Sequence, residues 1–166
     1  MRVLGIDPGT AITGYGIVDY IAGKENLVKY GAIRTSPSLN MADRLYKIKL
    51  ELGSLLQEYQ PQIVAVEELF YNRNSKTVIS VAQSRGVVLM TAAEAGLPVA
   101  EYTPLQVKQS VVGYGNADKR QVQLMVQRIL KISEIPRPDD AADALAIAIC
   151  CLHSYRFTRL IKDDNK

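Results

Sequence analysis

The spacing of apolar and polar positions changes period several times along the chain. Residues 2–7 form a short apolar run, Arg2-Val3-Leu4-Gly5-Ile6-Asp7, that predicts a buried strand. A turn follows at Asp7-Pro8-Gly9-Thr10. Thr13 to Tyr20 alternates with small residues and predicts a second strand. "IAGKEN" reads as a hairpin turn and "LVKYGAIR" as a third strand. Three strands with short links predict an antiparallel meander. From Asn40 to Tyr59 the period lengthens. Leu45, Ile48, Leu52, Leu55, Leu56 and Tyr59 recur at three- and four-residue spacing, an amphipathic helix that Pro61 ends. "QIVAVEE" is a fourth strand, and Ser75 to Ala95 a long helix closed by Gly96. "LPVAEY" is a fifth strand, and Pro104 opens a short helix to Val112. A Gly-containing polar loop leads to a helix over 119–132, and a last helix runs from Asp139 to Ser154. The order βββ-α-β-α-β-α-α-α predicts an α/β domain: a five-stranded mixed sheet with helices on both faces. One domain over 1–155 with a short tail over 156–166 is the expected organisation.

Two of the strands end on a carboxylate. Asp7 follows Val3-Leu4-Gly5-Ile6, where it either caps the Pro8-Gly9 turn or binds a partner that offsets its burial. In "IVAVEE", alternation sets Ile63, Ala65 and Glu67 on one side of the sheet and Val64 and Val66 on the other. The last helix opens with "PDDAADALAIAICC". Asp140 and Asp143 share a face that continues into Ile147 and Cys150 or Cys151. Asp139 and Asp140 suit a helical first turn, whereas Asp143 lies a turn inside on the apolar side. Four converging carboxylates stay ionised together only if cations neutralise them. Oxygen donors without His or Cys favour a hard ion, Mg2+ or Mn2+. Two such ions ~3.5–4 Å apart serve in-line attack on a phosphodiester.

Charge adds to this picture. The 166 residues carry 20 basic and 17 acidic groups, a net of +3. With the four acids set in a site, the remainder holds 20 basic against 13 acidic groups, +7, which suits a nucleic-acid backbone. Cys150 and Cys151 are adjacent in an apolar run and read as buried reduced thiols. With a single histidine, His153, and no CxxC pair, a Cys/His zinc site and a Ser-His-Asp hydrolase are disfavoured. The N-terminus has no signal-peptide pattern and no apolar run reaches the ~20 residues of a membrane span. A cytoplasmic protein with no membrane partner is expected.

"LGIDPGTAITGYGIV", "AVEELF", "QVKQSVVGYGNADKRQVQLMV" and "DDAADALAIAI" together resemble the RuvC family of Holliday junction resolvases, from about Arg2 to Leu152. The resemblance implies a ribonuclease H-like fold and a homodimer. It further implies symmetric nicking of four-way junction DNA with Mg2+, in recombination and repair, and a branch-migration motor as partner. It matches Asp7, Glu67, Asp140 and Asp143 to the family's catalytic, metal-holding acids, choosing Asp140 over Asp139, which spacing leaves open. It also matches Lys108 and Lys119 to lysines near the scissile phosphate, where either would stabilise developing charge. Phe70 would stack on an unpaired base near the junction centre or anchor its loop to the core. Arg73, Lys76, Arg85 and Arg120 are expected either to contact phosphates or to be ordinary solvated charges. The 75–95 helix carries Val78, Val81, Ala82, Val88, Leu89 and Ala92, more apolar surface than one face against a sheet requires, so it is the expected dimer interface unless it is simply well buried in the domain.

Rival readings are a ribonuclease H-like RNA nuclease and a non-catalytic module that binds DNA structure. "GIDPGT" also resembles the first phosphate loop of actin-like ATPases, but the chain lacks their second domain, their second phosphate loop and any G-x-x-x-x-G-K-[ST] loop.

Overall fold

The computed structural model describes residues 1–68 and 77–163, with residues 156–163 described by backbone alone. Strands β1 (Arg2–Asp7), β2 (Ile12–Ile21) and β3 (Lys24–Arg34) form the antiparallel meander. Ala22 and Gly23 close the β2–β3 hairpin at φ 50° and 83°, so Ile21 faces Lys24 across a two-residue turn. Helix α1 (Met41–Tyr59) leads to β4 (Ile63–Glu67), and α2 (Val78–Glu94) to β5 (Val99–Tyr102). The chain then runs through α3 (Pro104–Val112), α4 (Lys119–Leu130) and α5 (Asp139–Asp163). The sheet order is β3-β2-β1-β4-β5, with β4 parallel to both β1 and β5.

Alternation sorts the strand residues between two cores. Leu4, Ile6, Val64 and Val66 face α1 and α2, where Ile48, Leu52, Val88 and Ala92 are buried against them. Val3 and Ala65 face α5, backed by α3 and α4 through Val107, Val111, Val122 and Val126. Asp7 and Glu67, odd-numbered like Val3 and Ala65, thus turn to the α5 side.

Helix α5 is buried on all sides from Ala144 to Leu152, because the sheet lies on one flank and α3 and α4 on the other. It approaches the sheet so closely that no side chain fits between. A Cβ on Gly5 would stand 2.1 Å from the Ala144 carbonyl oxygen, and one on Gly14 would stand 2.0 Å from that of Asp140. The helix continues to Asp163, past the end near Ser154 that the pattern predicts, since no glycine or proline follows Tyr155 to stop it. Its mate on the other face, α2, is first described as helix at Val78. Among the described residues, no helix is long and apolar enough to cross a membrane.

This close approach makes a prediction. Gly5→Ala should destabilise the protein by roughly 1–3 kcal/mol, because backbone must move to admit the methyl group. Gly53→Ala, where a Cβ meets nothing within 4 Å, should be neutral or stabilising by up to ~1 kcal/mol. Urea unfolding of the two variants checks the contrast.

Candidate active site

The site lies where the carboxyl ends of β1 and β4 meet the first turns of α5. Asp7, Glu67 and Asp143 line a cleft of about 210 Å3, together with Lys108 and Lys119 and the apolar Pro104, Val107, Val122 and Ile147. Asp140 is half-buried one turn earlier on α5; its charge acts on Asp7, but it does not line the cleft. The sequence brings these groups together by two devices. Strand alternation aims Asp7 and Glu67 at α5, and the glycines of β1 and β2 let α5 lie close enough to answer them.

Electrostatics record the crowding. Burial, then the charges of Asp143, Glu67 and Asp140, push Asp7 up to about 7 despite the nearby Lys119. Burial and Asp143 push Glu67 up to about 6, with Lys108 pulling the other way. Burial also raises Asp143, although Lys119 Nζ donates to its Oδ2 at 2.9 Å and works against the rise. Burial opposes the charge of Lys119, but its hydrogen bond to Asp143 and the charges of Asp143, Asp139 and Asp140 raise it on balance. Lys119 is held in place from behind: it is the first residue of α4, whose N-cap Asp118 and Gln121 form a reciprocal capping box. It also reaches Asp139 Oδ2 at 3.7 Å, and Asp139 pairs in turn with Arg137.

The donor set fits a hard divalent cation. All four acids offer oxygen only, and each charge that raises Asp7 is one a cation would neutralise. Among the described residues, no three of these groups already stand close enough to enclose a single ion.

The other expected contacts fall in different places. Lys108 and Lys119 are at the cleft. Arg120 is exposed on the first turn of α4. Phe70, Arg73 and Lys76 lie outside the described residues. Arg85 is turned inward: its side chain is 15% exposed, its Nε donates to the Glu67 carbonyl at 3.1 Å, and its guanidinium pairs with Glu101. Sequence reasoning also missed the polar stitching of the loop after Asp7. Thr10 Oγ1 donates to the Ser80 carbonyl at 2.6 Å, and the buried Ser84 hydroxyl donates to that of Gly9 at 3.3 Å. The available signal was Ser84, a polar residue among the core-facing positions of a largely apolar helix. His153 sits between Ser110 Oγ at 3.1 Å and Glu25 Oε1 at 3.3 Å. Ser110 is well inside α3, where neighbouring N–H groups are used in helix bonds and none is left to hold an oxyanion, so this contact ties α3, α5 and β3 together.

The raised Asp7 makes stability depend on pH with a definite sign. Folded, Asp7 keeps its proton up to about pH 7; its ordinary value is 3.8. Between these values the folded state binds the extra proton, so stability falls as pH rises through the window, and the full cost applies above it. Asp7→Asn should therefore stabilise the metal-free protein at pH 8 by roughly 1–3 kcal/mol and change it little at pH 4. Urea unfolding in chelator at the two pH values measures the difference.

Comparison with known proteins matches this geometry to a family. The family model described as crossover junction endodeoxyribonuclease RuvC matches residues 3–151. A crossover junction endodeoxyribonuclease RuvC from Syntrophomonas wolfei is 67% identical over 164 residues, covering 99% of this chain and 95% of its own. That from Pelotomaculum thermopropionicum is 52% identical, covering 98% and 99%. The solved structure of Thermus thermophilus RuvC in complex with Holliday junction substrate superposes with a TM-score of 0.90 at 41% identity, covering 95% of this chain and 96% of that one. The ribonuclease H-like sheet order and the matched span agree with the architecture built above, and the chain belongs to the crossover junction endodeoxyribonuclease RuvC family.

Proposed function

We propose that this protein resolves four-way DNA junctions by paired, symmetric hydrolysis of phosphodiester bonds, with Mg2+ as the working ion and Mn2+ able to replace it. The observation that carries the reading is the convergence of carboxylates from β1, β4 and α5 on one cleft that two lysines also line. Asp7, Glu67, Asp140 and Asp143 are the residues that would hold the cations. Divalent ions bound there supply activation of the attacking water and neutralisation of the leaving oxygen. Lys108 and Lys119 reach the same space and would stabilise charge building on the phosphate. Arg120 on the surface, with Phe70, Arg73 and Lys76, would hold the junction arms and centre. The nuclease unit would span 1–155, with α5 running on past that boundary to Asp163. A DNA substrate would go with a cytoplasmic setting, and a branch-migration motor is the partner that the resemblance adds.

The test is direct. Asp7→Asn should lose cleavage of a synthetic four-way junction by several orders of magnitude while still binding it, since binding rests on distributed basic groups. Duplex, single-stranded and RNA substrates should be cut poorly by the wild type. Near wild-type nicking by Asp7→Asn would sink the site assignment.

A junction has two-fold symmetry, and the described residues of one copy form one such carboxylate cleft, so two equivalent copies would be needed for two matched nicks. Helix α2 supplies the surface. Ile79 is 75% exposed and Met90 53% exposed, and Ala82, Gly86 and Ala93 are exposed between and beyond them on the same side. Tyr46 and Leu50 add exposed apolar area on α1, which pairs with α2 through Lys49 and Glu94. Of the apolar residues that mark this helix, Val88 and Ala92 are in the core and lie off the exposed side. The wild type should sediment near twice 18.3 kDa. Met90→Glu should give monomers that lose the close coupling of the two nicks. A monomeric Met90→Glu protein with fully paired nicking would overturn the dimer.

A further inference from the structure

We infer that Arg85 is a positioning residue for the metal-holding Glu67, anchored for that task by Glu101, and is not a contact to DNA. The inference rests on the nuclease reading of the same cleft and deepens it.

Glu67 is the last residue of a five-residue strand. Pairing of β4 with β1 stops one residue earlier, at Ile6 and Val66, so the β1 ladder does not hold the final peptide. On the other edge, the Glu68 N–H donates to the Tyr102 carbonyl at 2.8 Å. Arg85 supplies the missing restraint. Its Nε donates to the Glu67 carbonyl at 3.1 Å from α2, on the face of the sheet opposite the cleft. The same guanidinium pairs with Glu101 of β5, which lies across from Val66 and so faces α2 as well. A guanidinium is a rigid planar fork, and fixing two of its prongs fixes the atoms they hold. Arg85 thus locks three elements, α2, β4 and β5, at the one peptide from which the Glu67 carboxylate projects into the cleft. With its side chain 15% exposed, Arg85 has little surface to offer a phosphate.

A lysine offers one ammonium where the fork has two well-separated prongs, so Arg85→Lys keeps the charge and loses one of the two holds. Glu101→Gln leaves Arg85 in place without its charged anchor. Both should bind Mn2+ more weakly, about three- to tenfold, in DNA-free protein followed by the electron paramagnetic resonance of free Mn2+. Single-turnover nicking of bound junction should fall about tenfold, and junction affinity should stay within about twofold. The double variant should be no worse than Arg85→Lys alone, since the two residues act as one unit.

Two outcomes overturn the inference. A weaker junction affinity with a salt slope reduced by about one, and unchanged Mn2+ binding, would make Arg85 a phosphate contact. A lowered Tm with unchanged Mn2+ binding and unchanged nicking would make it only a structural tie. If Arg85→Lys fails to fold, Glu101→Gln alone carries the test, because its Mn2+ affinity must still drop. Failure of the wild type to nick junctions would refute the nuclease reading and leave this result standing, since Mn2+ binding is read without DNA.

Discussion

The backbone of α5 rests directly on the glycines of β1 and β2, and the rest of the site depends on that contact. Had Gly5 or Gly14 any side chain, its first carbon would lie within about 2 Å of a carbonyl oxygen of Ala144 or Asp140. The helix would stand off, and Asp140 and Asp143 would withdraw from Asp7. With glycine there, and alanines at 141, 142, 144, 146 and 148 on the helix, the charges of both aspartates reach the end of β1. The small residues that make the core tight therefore also make the cleft acidic. Packing favours the approach while like charges oppose it, and the second cost shows as the raised Asp7 and Glu67.

Helix α2 holds the same site from the opposite side of the sheet. Its Ser84 hydroxyl and Ser80 carbonyl grip the loop that follows Asp7, and Arg85 grips the end of β4. Thr35 extends this stitching: its hydroxyl donates to the Thr10 carbonyl at 2.5 Å and accepts from Arg44 Nε of α1 at 2.7 Å. Both strands that carry carboxylates are thus fixed at their ends by the helix whose outer side carries Ile79 and Met90. An exposed apolar surface and a clamp on the carboxylate-bearing strands sit on two sides of one helix.

Much of this was written in local pattern. The five strands, α1 and α3 follow from period and from Pro, Gly and Asn punctuation, and Asp7 and Glu67 stand out because each ends an apolar strand. What stayed hidden depended on which elements become neighbours. Helix α2 is apolar almost all round, so its spacing does not say that Val88 and Ala92 face in while Ile79 and Met90 face out. Arg85 reads as a surface charge because arginine is seldom buried. Only the meeting of α2 with the ends of β4 and β5 gives it Glu67 and Glu101 as partners. The continuation of α5 past Ser154 was likewise hidden, since charge and polarity there mimic a tail while nothing in the stretch breaks a helix.

Lys119 shows how an acidic cleft and a basic surface coexist on one small protein. A phosphate backbone is drawn to the chain's basic exterior, yet the ionised acids of the cleft repel it. Lys119 lies at that boundary, bonded to Asp143 and near Asp139, with its start on α4 fixed by the capping box of Asp118 and Gln121. One ammonium offsets one carboxylate, which leaves most of the charge around Asp7 and Glu67 uncompensated. The cleft is therefore most hostile to a phosphate when its acids are ionised with only the lysines to balance them. Divalent ions held by these four acids would turn them from a barrier into a seat for a phosphate, and the repulsion that burdens the free fold would favour cation binding before substrate.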